Sequence, residues 1–302
     1  MKEILGFHSS AYKFLCSRFE KPQIGLRVYP ITANVSYMTQ KFSIATWNIN
    51  SVRLRADLVV QFLQQFSPDV LCLQETKCPD DAFPFKAFAA IGYQYAAVHG
   101  QKGYHGVATL SRHPLAAVER RQFYGLEDCR HITTGHSLGG RDVQIHNFYV
   151  PAGGDEPDVS INPKFAHKLG FLEEMKAFVA TPGSVLVGDL NIAPHEHDVW
   201  GHKQLLNVVS HTPVETDTMK ALIKNGNWVD LARQHYPEPQ KLYSWWSYRS
   251  ADWTANDRGR RLDHIWVADD LAKVSTGFEF FREARGWERP SDHVPVIATF
   301  GR

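Results

Sequence analysis

Five polar residues stand where they could share one chemistry. Asn48, Glu75 and Asp189 each fall at the C-terminal exit of a predicted strand, and Asp263 and Asp292 each fall at the N-terminal entrance of one. If the last two strands run antiparallel to the others, all five reach one rim of the sheets. Carboxylates crowded on a rim with an amide need a cation or protons to offset their repulsion. Oxygen ligands without cysteine select a hard ion, magnesium or manganese. Singly, each of these residues is an ordinary turn former at a strand end. Ser291-Asp292-His293 alone reads as a surface turn. The signal lies in the set and its order.

The elements that must position them alternate along the chain. Residues 42–47 are a short β-prone run ending in Asn48-Ile49-Asn50. Leu58, Val59, Phe62, Leu63 and Phe66 recur at helical spacing, and Ser67-Pro68-Asp69 stops that helix. Residues 70–73 read as a buried strand running into Gln74-Glu75. Residues 143–150 form another, with Pro151-Ala152-Gly153-Gly154 as the turn after it. Phe165, Leu169, Leu172, Phe178 and Val179 mark a helix, broken at Thr181-Pro182-Gly183. Residues 184–187 then form a strand leading into Gly188-Asp189-Leu190-Asn191. A helix over residues 214–224 closes at Asn225-Gly226. Residues 264–267 and 294–300 are the last clear strands. One α/β domain of two packed sheets flanked by helices is expected over residues 38–302.

The 302 residues are 43% hydrophobic and 22% charged, which is an ordinary globular profile. A net charge of +1 does not announce a nucleic-acid binder, so basic residues must gather on one face if DNA is the partner. Four cysteines without a CxxC pair point to neither a disulfide framework nor a zinc cage, and fit a reducing compartment. No apolar run approaches the roughly 20 residues of a membrane span. Residues 1–37 are mildly basic and lack periodicity or a secretory pattern, and Glu3 and Glu20 count against a transit peptide. They read as a disordered tail or as an early start, with Met38 just before the first strand.

Seven segments occur in a telling order: Trp47-Asn48-Ile49-Asn50, Leu73-Gln74-Glu75-Thr76-Lys77, Gly100-Gln101-Lys102-Gly103, Asn147-Phe148-Tyr149-Val150-Pro151, Gly188-Asp189-Leu190-Asn191, Arg261-Leu262-Asp263 and Ser291-Asp292-His293. From Lys41 onward the chain resembles the exonuclease III family of AP endonucleases, within the endonuclease/exonuclease/phosphatase superfamily. The resemblance implies a four-layer α/β sandwich, two mixed β-sheets packed face to face and flanked by helices, and metal-dependent phosphodiester hydrolysis. It makes Glu75 the main metal ligand, with Asn48, Asp292, Asp189, Asn191 and His293 around the ion. It has Asp189 orient or deprotonate the attacking water and Asn191 hold Asp189 and the phosphate. Tyr149 would hydrogen-bond the phosphate or help the leaving group. His293, oriented by Asp263, would stabilise charge on phosphate oxygens, and a carboxylate beside it should raise its usual pKa of roughly 6.5. Attack on a phosphodiester needs its negative charge offset and the nucleophile held in line, which this set supplies.

The superfamily also acts on lipid and inositol phosphates, so the core does not fix the substrate. Two features favour DNA. Residues 243–249 are rich in aromatics, and Trp245 and Trp246 with Leu262 resemble the wall of a pocket for a flipped, base-free sugar. Basic residues gather in loops near the motifs: Lys102, Arg130, Lys164, Lys168, Arg258, Arg260 and Arg261, with Arg130 and Lys164 the foremost phosphate contacts. The expected partner is duplex DNA carrying abasic sites or blocked 3′ ends, cut 5′ to the lesion by a cytoplasmic monomer, with 3′-to-5′ exonuclease activity. Three positions depart from the family pattern: Ser51 where relatives carry Gly, Ala152 where they carry Asn or Gln, and Arg260 where they place an apolar pocket residue. Ala152 is expected to weaken abasic-site affinity. The competing readings are the same chemistry on RNA, a lipid headgroup or an inositol phosphate, and an inactive DNA-binding module.

Overall fold

The computed structural model describes residues 40–249 and 252–301, so the expectations for residues 1–37 lie outside it. Fourteen strands follow in chain order: β1 (Phe42–Asn48), β2 (Val70–Gln74), β3 (Tyr95–His99), β4 (Val107–Ser111), β5 (Ala117–Glu119), β6 (His131–Leu138), β7 (Arg141–Tyr149), β8 (Ser184–Asp189), β9 (Val229–Asp230), β10 (Trp245–Trp246), β11 (Gly259–Arg260), β12 (Asp263–Val267), β13 (Ser275–Phe280) and β14 (Val296–Phe300). They form two six-stranded mixed sheets, ordered β13-β14-β1-β2-β4-β3 and β5-β6-β7-β8-β12-β9, and the hairpin β10-β11.

The strands at the middle of each sheet read as near-continuous apolar runs because both of their faces are covered. Alternation decides which layer each side chain enters. Ile44 and Cys72 of one sheet meet Val185, Val187 and Ile265 of the other in the core between the sheets. Their neighbours Ala45, Trp47 and Leu71 turn outward under the helix Ala56–Phe66, with Phe62 and Leu63. On the far side Phe148, Leu186 and Trp266 pack against Phe171 of the helix Pro163–Met175 and Met219 of the helix Pro213–Asn225. The result is the expected four-layer sandwich. One boundary differs: the helix marked by Phe165 ends at Met175, so Phe178 and Val179 lie beyond it. Phe178 instead stacks edge-on to Phe148, and Val179 is exposed.

Strand direction brings the chemistry to one rim. β1 runs parallel to β2, with Asn48 opposite Gln74, and β7 runs parallel to β8, with Tyr149 opposite Asp189. β12 is antiparallel to β8 and starts where β8 ends, which sets Asp263 directly across from Asp189. β14 is antiparallel to β1, so the segment before it returns Asp292 and His293 to the same end. Gly188 makes the close pairing possible: at φ +137 a Cβ there would sit 1.9 Å from the Phe148 carbonyl oxygen. No helix among the described residues is long and apolar enough to cross a membrane.

Candidate active site

Asn48 joins the two sheets. It is fully buried at the end of β1, and its Nδ2 donates to Glu75 Oε1 at 3.0 Å and to Asp189 Oδ2 at 2.8 Å. Its own oxygen accepts from the Asn50 amide, which locks the side-chain flip. Glu75 follows β2 in a left-handed conformation, φ 51, that swings its carboxylate into the rim. Tyr149 donates its hydroxyl to Glu75 Oε1 at 2.8 Å, and Lys77 Nζ lies 2.8 Å from Oε2. Burial pushes the Glu75 carboxyl up, but the Lys77 charge and the hydrogen bonds from Asn48, Lys77 and Tyr149 together hold it below its usual value. Tyr149 moves the other way. Burial first, then the carboxylates of Glu75 and Asp189, raise its hydroxyl well above the ordinary phenol range, so it is a proton donor at neutral pH.

Asn50 and Lys77 are functional neighbours that inspection of the sequence alone did not single out. Asn50 Nδ2 donates to Asp292 Oδ1 at 3.1 Å, while its Oδ1 accepts from Lys77 Nζ at 2.6 Å. Together they connect Glu75 to Asp292. Both lie inside segments that carry the family resemblance, and an Asn just past a strand exit, in a left-handed turn, is the available signal. The other oxygen of Asp292 accepts from Trp245 Nε1 at 2.9 Å.

The second half of the site comes from β8, β12 and the segment before β14. Asp189 is held from one side by Asn191, whose backbone N donates to Oδ1 at 3.0 Å and whose Nδ2 lies 3.2 Å from Oδ2. From the other side His293 Nε2 stands 3.8 Å from Asp189 Oδ2, and His293 Nδ1 donates to Asp263 Oδ2 at 2.8 Å. Burial raises the Asp189 carboxyl to about 7; His293 and Asn48 pull it down, and Asp263 and Glu75 push it up. Burial lowers His293, but the adjoining Asp263 and Asp189 charges outweigh it and lift the imidazole to about 10. The raised pKa favours the protonated imidazole, which, with Nδ1 committed to Asp263, offers Nε2–H as a donor to an oxyanion.

Asp189, Asp263 and His293 bring ligand-type atoms within 4.8 Å of one another. That triad is tied up by the His293–Asp263 bond and the protonated ring. The oxygens of Glu75 and Asp292, half-buried and linked through Lys77 and Asn50, are the better fit to a hard divalent ion. The buried Oδ1 of Asp263 has no hydrogen-bond partner among the described residues, a further sign of uncompensated negative charge at the rim.

The residues expected to touch DNA fall into two groups. Lys102 and Lys164 are exposed, and Trp245 is half-buried. Trp246, Leu262 and Arg130 are buried. Arg130 pairs with Asp128, donates to the Tyr149 carbonyl at 3.2 Å and lies 4.8 Å from the Tyr149 ring centroid, so in this structure it braces the tyrosine. Lys168 and Arg261, read from sequence among the phosphate-gripping cations, are fully buried in ion pairs. Lys168 Nζ lies 2.5 Å from Glu215 Oε1 and donates to the carbonyl of Asn191 at 2.8 Å, supporting the Asn191 loop from beneath.

Comparison with known proteins agrees with this geometry. Residues 45–293 match the model of the Endonuclease/Exonuclease/phosphatase family. The chain belongs to that family. Within the family it is 30% identical over 268 residues to exodeoxyribonuclease III of Haemophilus influenzae, a match covering 84% of this chain and 98% of that protein. An AP endonuclease from Archaeoglobus fulgidus superposes with a TM-score of 0.78 at 31% identity, covering 86% of this chain and 99% of the other. The 3′ phosphatase NExo from Neisseria, solved with a product DNA hairpin, gives 0.78 at 32% identity, covering 86% and 100%. The family membership and these relatives make the chain a hydrolase of the nuclease type.

Proposed function

We propose that this chain is a magnesium-dependent phosphodiesterase of DNA base-excision repair that cuts duplex DNA 5′ to abasic sites and trims or cleans 3′ ends, working as a cytoplasmic monomer on nucleoid DNA. The observation that carries the reading is the Asn48 bridge. One buried amide binds Glu75 and Asp189 at once and so fixes the ion-holding side of the rim against the water-activating side. The relatives named above include an exodeoxyribonuclease and an AP endonuclease, which favours DNA over other phosphodiesters.

Each residue has a role its surroundings suit. His293, cationic and oriented by Asp263, donates toward a non-bridging phosphate oxygen. Asp189, held by Asn191 and Asn48, faces the attacking water and takes its proton. The water oxygen bonds to phosphorus, the bond to the 3′ oxygen breaks, and that oxygen gains a proton from the Tyr149 hydroxyl or from solvent. Glu75 and Asp292, linked through Lys77 and Asn50, would hold the magnesium ion, and when bound the ion supplies Lewis-acid stabilisation of charge on the phosphate oxygens.

The test is a labelled duplex carrying one tetrahydrofuran abasic analogue, incubated with magnesium and with a chelator beside an intact duplex. The expected product is a single cut 5′ to the analogue, abolished by the chelator. An uncut lesion beside metal-dependent hydrolysis of RNA or an inositol phosphate would move the substrate and keep the chemistry.

A further inference from the structure

A groove of about 950 Å³, open to solvent, adjoins the catalytic rim. Trp245 belongs to both: its ring lines the groove, and its Nε1 donates to Asp292. A pocket selective for a base-free sugar is small and apolar, and this groove is neither. Its walls carry Trp200 as well as Trp245, and each indole has an arginine against it. The Arg258 guanidinium is 4.6 Å from the Trp200 ring centroid, and that of Arg260 is 5.4 Å from the Trp245 centroid. Arg260 occupies the position where the family resemblance leads one to expect an apolar pocket residue. It is anchored, since its Nη1 donates to the Val209 carbonyl at 3.1 Å and to Ser210 Oγ at 2.7 Å, and it is held at the wall while its Nε has no partner among the described residues. Arg249 also lines the groove. Against these three arginines stand Asp155 and Asp252, which leaves a charge of +1, and the Asp252 carboxylate already caps the helix Trp253–Asn256 through the Ala255 amide.

Indole faces, guanidinium planes and net positive charge beside a phosphodiester site are the recognition chemistry of an unstacked nucleotide, base and phosphate together. We propose that this groove binds the base-bearing nucleotide that adjoins the cut phosphodiester, with its base stacked against the Trp200 and Trp245 walls and its charge met by Arg258 and Arg260. The inference rests on the nuclease reading of the catalytic rim and names the substrate class the rim prefers, which is strand ends with an intact 3′ nucleotide over abasic sites. Arg260 is the specificity-determining residue.

Two measurements on the full chain decide it. In the first, intrinsic tryptophan fluorescence is titrated with 5′-dAMP and, separately, with 2-deoxyribose 5-phosphate, which lacks the base. Stacking of this kind makes 5′-dAMP quench saturably at concentrations about tenfold lower than the sugar phosphate. Equal midpoints, or no quenching by 5′-dAMP, overturn the proposal. In the second, release of a base-bearing 3′ nucleotide is compared with incision at the tetrahydrofuran analogue, for the wild type and Arg260→Leu. The expected result is a fall of about fivefold or more in the ratio of release to incision, and an unchanged ratio overturns the proposal. If Arg260→Leu does not fold, the exposed Arg258→Ala repeats the comparison. A wild type that cuts neither substrate sinks the repair assignment, while the 5′-dAMP titration still decides the groove.

Discussion

Arg261 and Asp263 stand two residues apart, yet they belong to opposite kinds of buried charge. Arg261 is forked between two carboxylates, with Nε and Nη2 on Asp198 at 2.8 Å and Nη1 and Nη2 on Asp230 at 3.0 and 2.8 Å, and Arg233 completes the group from a second side. Two arginines meet two aspartates, so the group is neutral. Burial pushes the Asp198 carboxyl up, but the Arg261 charge and hydrogen bonds, with the Arg233 charge, together hold the group below its usual range. At the catalytic rim four carboxylates, Glu75, Asp189, Asp263 and Asp292, have two cations in direct contact, Lys77 on Glu75 and His293 on Asp263 and Asp189. Asp189 is raised to about 7 there, and Asp263 Oδ1 is left unpartnered. The contrast teaches how to tell a structural ion cluster from a working one on the same sheet. The first is closed by the protein itself, and the second holds more carboxylates than the cations in contact with them.

This contrast should separate activity from stability when each cluster is damaged. Asp189→Asn is expected to lower the rate of abasic-site incision by about 10²- to 10⁴-fold, the usual worth of a positioned base. Its melting temperature in chelator should stay level or rise, because burial already disfavours that charge. A variant that melts well below the wild type would place Asp189 in the structural class. Arg261→Met should do the reverse. It leaves Asp198 and Asp230 buried with too little countercharge and costs about 3–5 kcal/mol by denaturant unfolding. A loss below about 1 kcal/mol would break the distinction.

The smallest effect is a pH dependence in the structural cluster. His264 lies 3.2 Å from an Arg261 nitrogen, and burial first and the Arg261 charge second hold its pKa well below 6.5. Folded, it stays neutral, whereas the unfolded chain takes up a proton below about pH 6.5. Its contribution is therefore constant above that pH and is lost as the pH falls, at up to about 1.4 kcal/mol per pH unit. Urea melts from pH 7 to 5 should show that slope flattened in His264→Gln. An unchanged slope would assign the acid sensitivity to other buried histidines such as His136.

Much of this was legible along the chain. The apolar runs of β1, β2 and β8 mark strands covered on both faces, and the acidic residues at their ends mark the rim, because strand alternation and strand exits are local properties. What stayed hidden depends on partners that arrive from elsewhere. β6 reads His131-Ile132-Thr133-Thr134-Gly135-His136, a polar string with no strand signature until β7 pairs with it and His146 meets the Thr133 hydroxyl. Lys168 and Arg261 look like surface cations until Glu215 and the two aspartates meet them. Asn50 becomes a connector only when Asp292, 242 residues away, returns to it.

The left-handed turns at the strand exits have a consequence for how this surface can change over time. Asn50, Glu75 and Asn191 all hold φ near +50. Asparagine tolerates that geometry through its short polar side chain, but a glutamate gains nothing from it and costs on the order of 1 kcal/mol or more. The backbone alone would select glycine or asparagine at residue 75. A glutamate persists there only while its carboxylate has work to do, so a descendant relieved of catalysis should lose this residue early, and gain stability as it does.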